Sequence, residues 1–292
     1  MVKLSALLIV KNEASVIEGC LNLLAGFDEV IVVDTGSTDR TMDIAIEFGN
    51  VRLFEFPWID DFAAARNFCL QQAKGDWCMQ IDADHRLMTP VQRIRDWCYM
   101  SQLGGHDVCS IHLTHAASGD SHLGAWLFRN LPYIEYVGRV HEVLNTAATN
   151  TTDIEQLYSR SPSHNLDPDR NLRILQKSDD NERTRFYLGM EYRDRGMWPE
   201  AIIAMTRYLE VGTRIPEICE ANLVLARAYW ATGQGDLART HVLKCVKDNP
   251  MFKEALQFAA EVHYEPWRSK WLKLSTAADN SDVLFVRVGP SV

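Results

Sequence analysis

Short apolar runs alternate with helix-compatible stretches through the first 81 residues, and this alternation limits the possible folds more than any other feature. Leu4–Val10 is almost uninterruptedly apolar, as a strand buried on both faces requires. Ala14–Leu24 suits a helix and stops at Gly26. Val30–Val33 is β-branched throughout and ends at Asp34-Thr35-Gly36-Ser37-Thr38-Asp39. Thr41–Phe48 reads as a second helix closed by Gly49, and Val51–Phe56 as a third strand ended by Pro57. Phe62–Lys74 reads as a helix entered through Asp60 and Asp61 and left at Gly75. Trp77–Ile81 is a fourth strand running straight into Asp82-Ala83-Asp84. The pattern predicts a doubly wound α/β sheet, whose ligands sit at the carboxyl ends of the strands. Both Asp-rich segments fall there. Asp107–Thr114 and Ala125–Phe128 read as further strands, and the polar residues 146–170, with Pro162 and Pro168, as a loop or linker.

From residue 171 only helical patterns remain, and they repeat. Leu188-Gly189-x-x-Tyr192 is followed nine residues later by Ala201, and Leu225-Ala226-x-x-Tyr229 nine residues later by Ala238. The period is 37 residues, slightly above the roughly 34 of a tetratricopeptide repeat, and Gly212–Pro216 absorbs the excess. Small residues at these positions let paired helices approach, and tyrosine fills the groove between them. Met251–His263 reads as the start of a third, imperfect hairpin. The expected organisation is an α/β domain over 1–165, a helical repeat domain over 171–275 and a tail over 276–292, in which Val283–Val288 would suit a strand.

Two carboxylates at i and i+2 where a strand ends suit a divalent cation, with coordination positions left for water and phosphate, as Mg²⁺ or Mn²⁺ requires. Asp82 and Asp84 meet this condition. Asp167-Pro168-Asp169 has the same form, but no strand leads into it, so it reads as a turn. Asp34 is placed to accept a hydrogen bond from a ribose or base, whereas Thr38 or Asp39 suits a helix N-cap. Neither G-x-G-x-x-G nor G-x-x-x-x-G-K-[ST] occurs, which removes support for hydride transfer and P-loop ATP hydrolysis. His106, Cys109, His112 and His115 recur every three residues and invite a zinc site, but side chains alternate faces along a strand, which sends Cys109 and His112 apart.

Net charge is −9, and residues 1–150 hold most of it, with 19 acidic against 11 basic side chains. A broad nucleic-acid-binding surface is not expected. No apolar run approaches the roughly 20 residues needed to span a bilayer. Leu4–Val10 is followed by no small-residue cleavage site and reads as a strand instead of a signal peptide. Seven scattered cysteines without C-x-x-C spacing suit reduced thiols and a cytoplasmic location.

Leu8–Ala14, Val33–Thr41, Trp58–Asn67 with Asp61-Phe62 and Ala65-Arg66-Asn67, Gly75-Asp76-Trp77, Asp82-Ala83-Asp84, Tyr136–Glu142 and Arg170-Asn171 carry a family pattern. Together they resemble the GT-A family-2 glycosyltransferases, especially bacterial members with C-terminal tetratricopeptide repeats such as bacteriocin peptide S-glycosyltransferases and lipopolysaccharide-core glucosyltransferases. The resemblance implies a GT-A domain before the repeats and metal-dependent, inverting transfer from a nucleotide-diphospho-sugar, UDP by default, to a peptide, glycan or lipid. It implies nucleoside contacts from Val10, Asn12, Glu13, Asp34 and Ser37, and a donor-facing role for Arg66 and Asp82. Arg66 also reads as a surface ion-pair partner of the acids before it. The resemblance further implies Mg²⁺ or Mn²⁺ on Asp84 and Asp82, with His164 completing the shell. Of the pair His141-Glu142, Glu142 is the first choice of general base and His141 the alternative base or a substrate contact. His85 stands where the family usually has Glu. That departure admits a rival from another class, a repeat scaffold that binds nucleotide sugar without turnover. A third reading keeps the enzyme and makes a modified nucleic-acid base the acceptor. The repeats suit a protein or peptide segment, or a second copy of the chain.

Overall fold

The computed structural model describes residues 2–159 and 167–278. The chain divides into two compact units, Met1–Arg170 and Asn171–Val292. In the first unit the elements run β1 (Leu4–Val10), α1 (Ile17–Leu23), β2 (Glu29–Asp34), α2 (Thr41–Ala45), β3 (Val51–Glu55), α3 (Phe62–Gln72), β4 (Trp77–Gln80), β5 (His85–Leu87) and α4 (Val91–Leu103). They continue with β6 (Val108–His115), β7 (Ser121–Arg129), β8 (Tyr136–Val137), β9 (Val143–Leu144) and β10 (Asn150–Tyr158). Eight strands form one sheet in the order β3-β2-β1-β4-β7-β6-β10-β5, and β8 and β9 form a small antiparallel pair.

The four strands read from alternation, β3, β2, β1 and β4, pair in parallel as expected. The other half of the sheet is mixed: β7 runs antiparallel to β4 and β6, β10 parallel to β6, and β5 antiparallel to β10. Successive side chains of a strand point to opposite faces. Accordingly Leu4, Ala6, Leu8, Val30, Val32, Trp77 and Met79 pack with Ile17, Leu21, Ile94 and Cys98 on one face. Leu7, Ile31, Val33 and Cys78 pack with Ala63, Cys69 and Leu70 of α3 on the other. The N-terminus of α3 is capped by Asp61, whose Oδ1 accepts from the Ala64 amide at 2.9 Å.

Two expectations change. Residues 146–170 are not simply a linker, because Thr152, Ile154 and Gln156 are buried at strand period in β10. Thr38 and Asp39 do not cap α2, whose N-cap is Arg40 without a side-chain bond; Asp39 instead accepts from the amides of Thr41 and Ala14 and ties two loops together.

The second unit is helical among its described residues: α5 (Arg170–Gln176) begins at the division, then come α6 (Glu182–Asp194), α7 (Trp198–Leu209), α8 (Ile215–Ala231), α9 (Gly235–Asp248), α10 (Lys253–Val262) and α11 (Trp267–Ala277). The repeated residues fall in equivalent places. Gly189 on α6 lies so close to Met205 on α7 that a Cβ there would stand 2.6 Å from the Met205 Cε. Ala226 and Ala238 are buried between α8 and α9, where Tyr229 stacks on His241 with ring centroids 5.4 Å apart. Thr276 and Ala277 of the expected tail belong to α11, and its remainder from 279 on, with Val283–Val288, lies outside the described residues. Among the described residues no helix is long and apolar enough to cross a membrane.

Candidate active site

The site gathers at the carboxyl ends of β1, β2 and β4, beside the head of α3. At the end of β2, Asp34 Oδ2 accepts from the amides of Gly36 and Ser37, both at 2.9 Å, and this turn uses a positive φ at Gly36. Asp34 is 4% exposed, and its Oδ1 is buried without a hydrogen-bond partner. A buried acceptor left unpaired is costly, so this oxygen is one that a hydrogen-bond donor would satisfy. Asn12 lies opposite in a left-handed conformation (φ 58°); its amide donates to Ser37 Oγ at 2.9 Å, and its side-chain oxygen accepts from the Thr38 amide at 2.7 Å. The Glu13 amide donates to Thr41 Oγ1. Val10 is buried, and its carbonyl accepts from the amide and hydroxyl of Thr35. Val10 therefore supports the turn from beneath, while Asn12 and Ser37 form its rim.

Arg66 is the centre of the arrangement. It is 7% exposed, its Nε donates to Glu142 Oε1 at 2.5 Å and its Nη2 to Asp82 Oδ1 at 2.9 Å. The surface reading therefore fails: Arg66 is buried and pairs with residues 16 and 76 positions away, not with the acids preceding its helix. Burial opposes its charge, but the Asp82 and Glu142 carboxylates outweigh that and raise its pKa. The guanidinium lies 5.9 Å from the Tyr136 ring centroid, in a niche lined by Leu7, Ile9, Cys69 and Tyr136. His141 is held at φ 54°, next to Glu142, in a sparsely populated region for a non-glycine residue.

Asp82 and Asp84 lie in the turn joining β4 to β5, closed by the His85 amide donating to the Asp82 carbonyl. Asp84 is buried, whereas the Asp82 side chain is one-third exposed. His85 Nε2 stands 3.8 Å from Asp84 Oδ1 and 4.0 Å from Asp82 Oδ2. Two carboxylates on a turn suit Mg²⁺ or Mn²⁺, which keep positions for water and phosphate. Among the described residues, no three His, Cys, Asp or Glu side chains are already drawn together as a metal centre. His164 lies outside the described residues. The histidines around β6 turn to separate partners, His106 to Thr149 and His115 to Ser118, while Cys109 meets Ser101. Asp167–Asp169 is a turn leading into α5.

Residues 5–90 match the model of glycosyl transferase family 2. The matched family-2 segment contains Asn12, Glu13, Asp34, Arg66, Asp82 and Asp84. A TPR repeat-containing protein of Synechococcus elongatus is 36% identical over 151 residues, covering 50% of this chain and 36% of that protein. The prophage-derived glycosyltransferase SunS of Bacillus subtilis is 41% identical over 80 residues, covering 27% of this chain and 19% of SunS. The chain thus spans about a third or less of the length of these two relatives. Among solved structures, S. aureus TarS superimposes with a TM-score of 0.52 at 15% identity, over 82% of this chain and 54% of that one. That likeness is one of fold, and the expected GT-A sheet followed by a helical region is the fold present.

Sequence reasoning named Arg66, Asp82 and Glu142 singly and missed that one guanidinium joins them. The partner of His85, Gln156, is a further residue the sequence does not reveal, because polar side chains at the buried positions of β10 hide the strand.

Proposed function

We propose that this chain is an inverting glycosyltransferase that moves a sugar from a nucleotide-diphospho-sugar, UDP by default, to a peptide, glycan or lipid acceptor in the cytoplasm. The observation that supports it best is Arg66, whose buried guanidinium joins Asp82, on the metal side, to Glu142, the candidate base. Asp34 Oδ1 accepts from the nucleoside, with Asn12, Glu13 and Ser37 shaping the rim. Asp84 and Asp82 hold Mg²⁺ or Mn²⁺, and His164 is proposed to complete that shell. When bound, the cation neutralises charge developing on the diphosphate leaving group. Arg66 lies where it adds a second positive charge on that side. Glu142 Oε1 is bound by Arg66, so Oε2 takes the acceptor proton as the acceptor attacks the anomeric carbon. His141, held beside it, orients the acceptor. The helical unit is proposed to receive the acceptor segment or a second copy of the chain.

A thermal-shift screen of nucleotide sugars with and without Mn²⁺ tests the reading, since a ligand that binds only the folded state raises the unfolding temperature. Asp84→Ala is expected to abolish donor turnover, and full activity in that variant with Mn²⁺ or Mg²⁺ supplied refutes the metal assignment. Glu142→Gln is expected to bind donor and lose transfer; loss of donor binding removes Glu142 from the base role. Absence of metal-stimulated donor hydrolysis across a broad panel favours a binding scaffold instead.

A further inference from the structure

His85 departs from the family pattern, and its surroundings give the departure a direction. The residue is 6% exposed. Its ring stacks on Trp126, with centroids 5.2 Å apart and planes 14° from parallel, and Tyr158 lies 5.6 Å away. It is therefore fixed in plane and position. Gln156, fully buried on β10, donates from Nε2 to the Gln80 carbonyl at 3.0 Å. That bond leaves Gln156 Oε1 facing His85 Nδ1 at 2.9 Å. An amide oxygen only accepts, so the proton of the ring sits on Nδ1. On the neutral ring, Nε2 then presents a lone pair towards Asp84 Oδ1 and Asp82 Oδ2, at 3.8 and 4.0 Å. Among the described residues, Nε2 makes no hydrogen bond. A nitrogen lone pair turned towards two carboxylate oxygens within 4.0 Å of it suits a cation between them. Two donors that each lie about 2.1 Å from one ion are at most about 4.2 Å apart. Both separations from Nε2 satisfy that limit.

We propose that His85 Nε2 is a nitrogen donor to the divalent cation of Asp82 and Asp84, and that Gln156 is the positioning residue that aims it. This rests on the metal reading above. Asp82, one-third exposed and on a turn, is the side chain that moves to close the set. An imidazole donor in place of a carboxylate biases the site from Mg²⁺ towards a transition-metal ion such as Mn²⁺.

The test adds Mn²⁺ alone to the full chain and reads ¹⁴N coupling by pulsed electron paramagnetic resonance, with Mn²⁺ against Mg²⁺ competition as a second readout. His164→Gln is used as the background, so that any nitrogen seen does not come from that residue. In this background ¹⁴N coupling is expected. Adding His85→Glu is expected to keep bound Mn²⁺, abolish the coupling and lower the preference for Mn²⁺ over Mg²⁺. Gln156→Leu is expected to weaken Mn²⁺ binding about 10–100-fold, as loss of an outer-shell partner does. His85→Glu decides the case if Gln156→Leu does not fold. Mn²⁺ that binds in an Asp84-dependent way without ¹⁴N coupling overturns the proposal and leaves the metal reading standing. No Mn²⁺ binding to the unmutated chain overturns both.

Discussion

Replacing Arg66 by Met removes the guanidinium that joins Asp82 and Glu142 while keeping most of the side-chain volume. Leaving a buried charge without its partner costs about 3–5 kcal/mol, whereas exposed pairs are worth under about 1 kcal/mol. The two halves of this bridge differ in that respect. The Glu142 side chain is 11% exposed and behaves as buried, while Asp82 at 33% relaxes into water. The expected loss is therefore near the lower bound, about 3 kcal/mol, which is roughly a hundredfold in the folded-to-unfolded ratio. With two compact units in the chain, a single bulk transition does not isolate the effect. Hydrogen exchange at the β1 and β2 amides reports opening of the sheet unit by itself. Arg66→Met, Glu142→Gln and the double variant together form a cycle, and residues sharing one ion-pair network couple by about 0.5–3 kcal/mol. A loss below about 1 kcal/mol, or additivity within about 0.5 kcal/mol, refutes a buried bridge at Arg66.

Gly189→Ala puts a methyl group 2.6–2.7 Å from three atoms of Met205; overpacking of about 1–3 kcal/mol against a helix-propensity gain of about 1 kcal/mol leaves a net loss, read as a lower melting temperature of the helical unit. Burial pushes the Glu29 carboxyl up, but hydrogen bonds from Ser5, the Lys74 amide and Arg52 outweigh it and lower its pKa. Glu29 therefore stabilises above the ordinary glutamate range and loses that contribution as pH falls through its depressed pKa, so the stability gap between the unmutated chain and Glu29→Gln, measured by urea unfolding, narrows from pH 7 towards pH 3. All seven cysteines are free and buried, with the Cys20 and Cys69 thiols pushed up to about 12 by burial; a thiol reagent at pH 8 is expected to modify none rapidly in the folded chain and all seven in denaturant.

In the parallel half of the sheet β1, β2 and β4 were legible because they are buried on both faces and read as nearly unbroken apolar runs. The other half was hidden by chemistry. In β10 the inward positions include Thr152 and Gln156, so a period-two pattern is present without an apolar signal. β5 is only three residues long and follows directly on the Asp82–Asp84 turn, where no apolar run announces it. The strand-end acids Asp34, Asp82 and Asp84 were legible, since turn residues after a strand restrict their own placement. The Arg66 bridge was not, because it joins α3 to the segments after β4 and β8, far apart in sequence.

Among the described residues β5 has a single neighbour in the sheet, β10, which is also the last strand to be made. As the chain leaves the ribosome, more than 60 residues follow His85–Leu87 before Asn150–Tyr158 is available to pair with them. Throughout that interval the segment carrying His85 has no strand to lie against, and β6 presents an open edge. The Asp82–His85 corner therefore becomes rigid only when the sheet unit is complete. A nascent or truncated chain ending before residue 150 has the acids in sequence but not the wall that sets them in place.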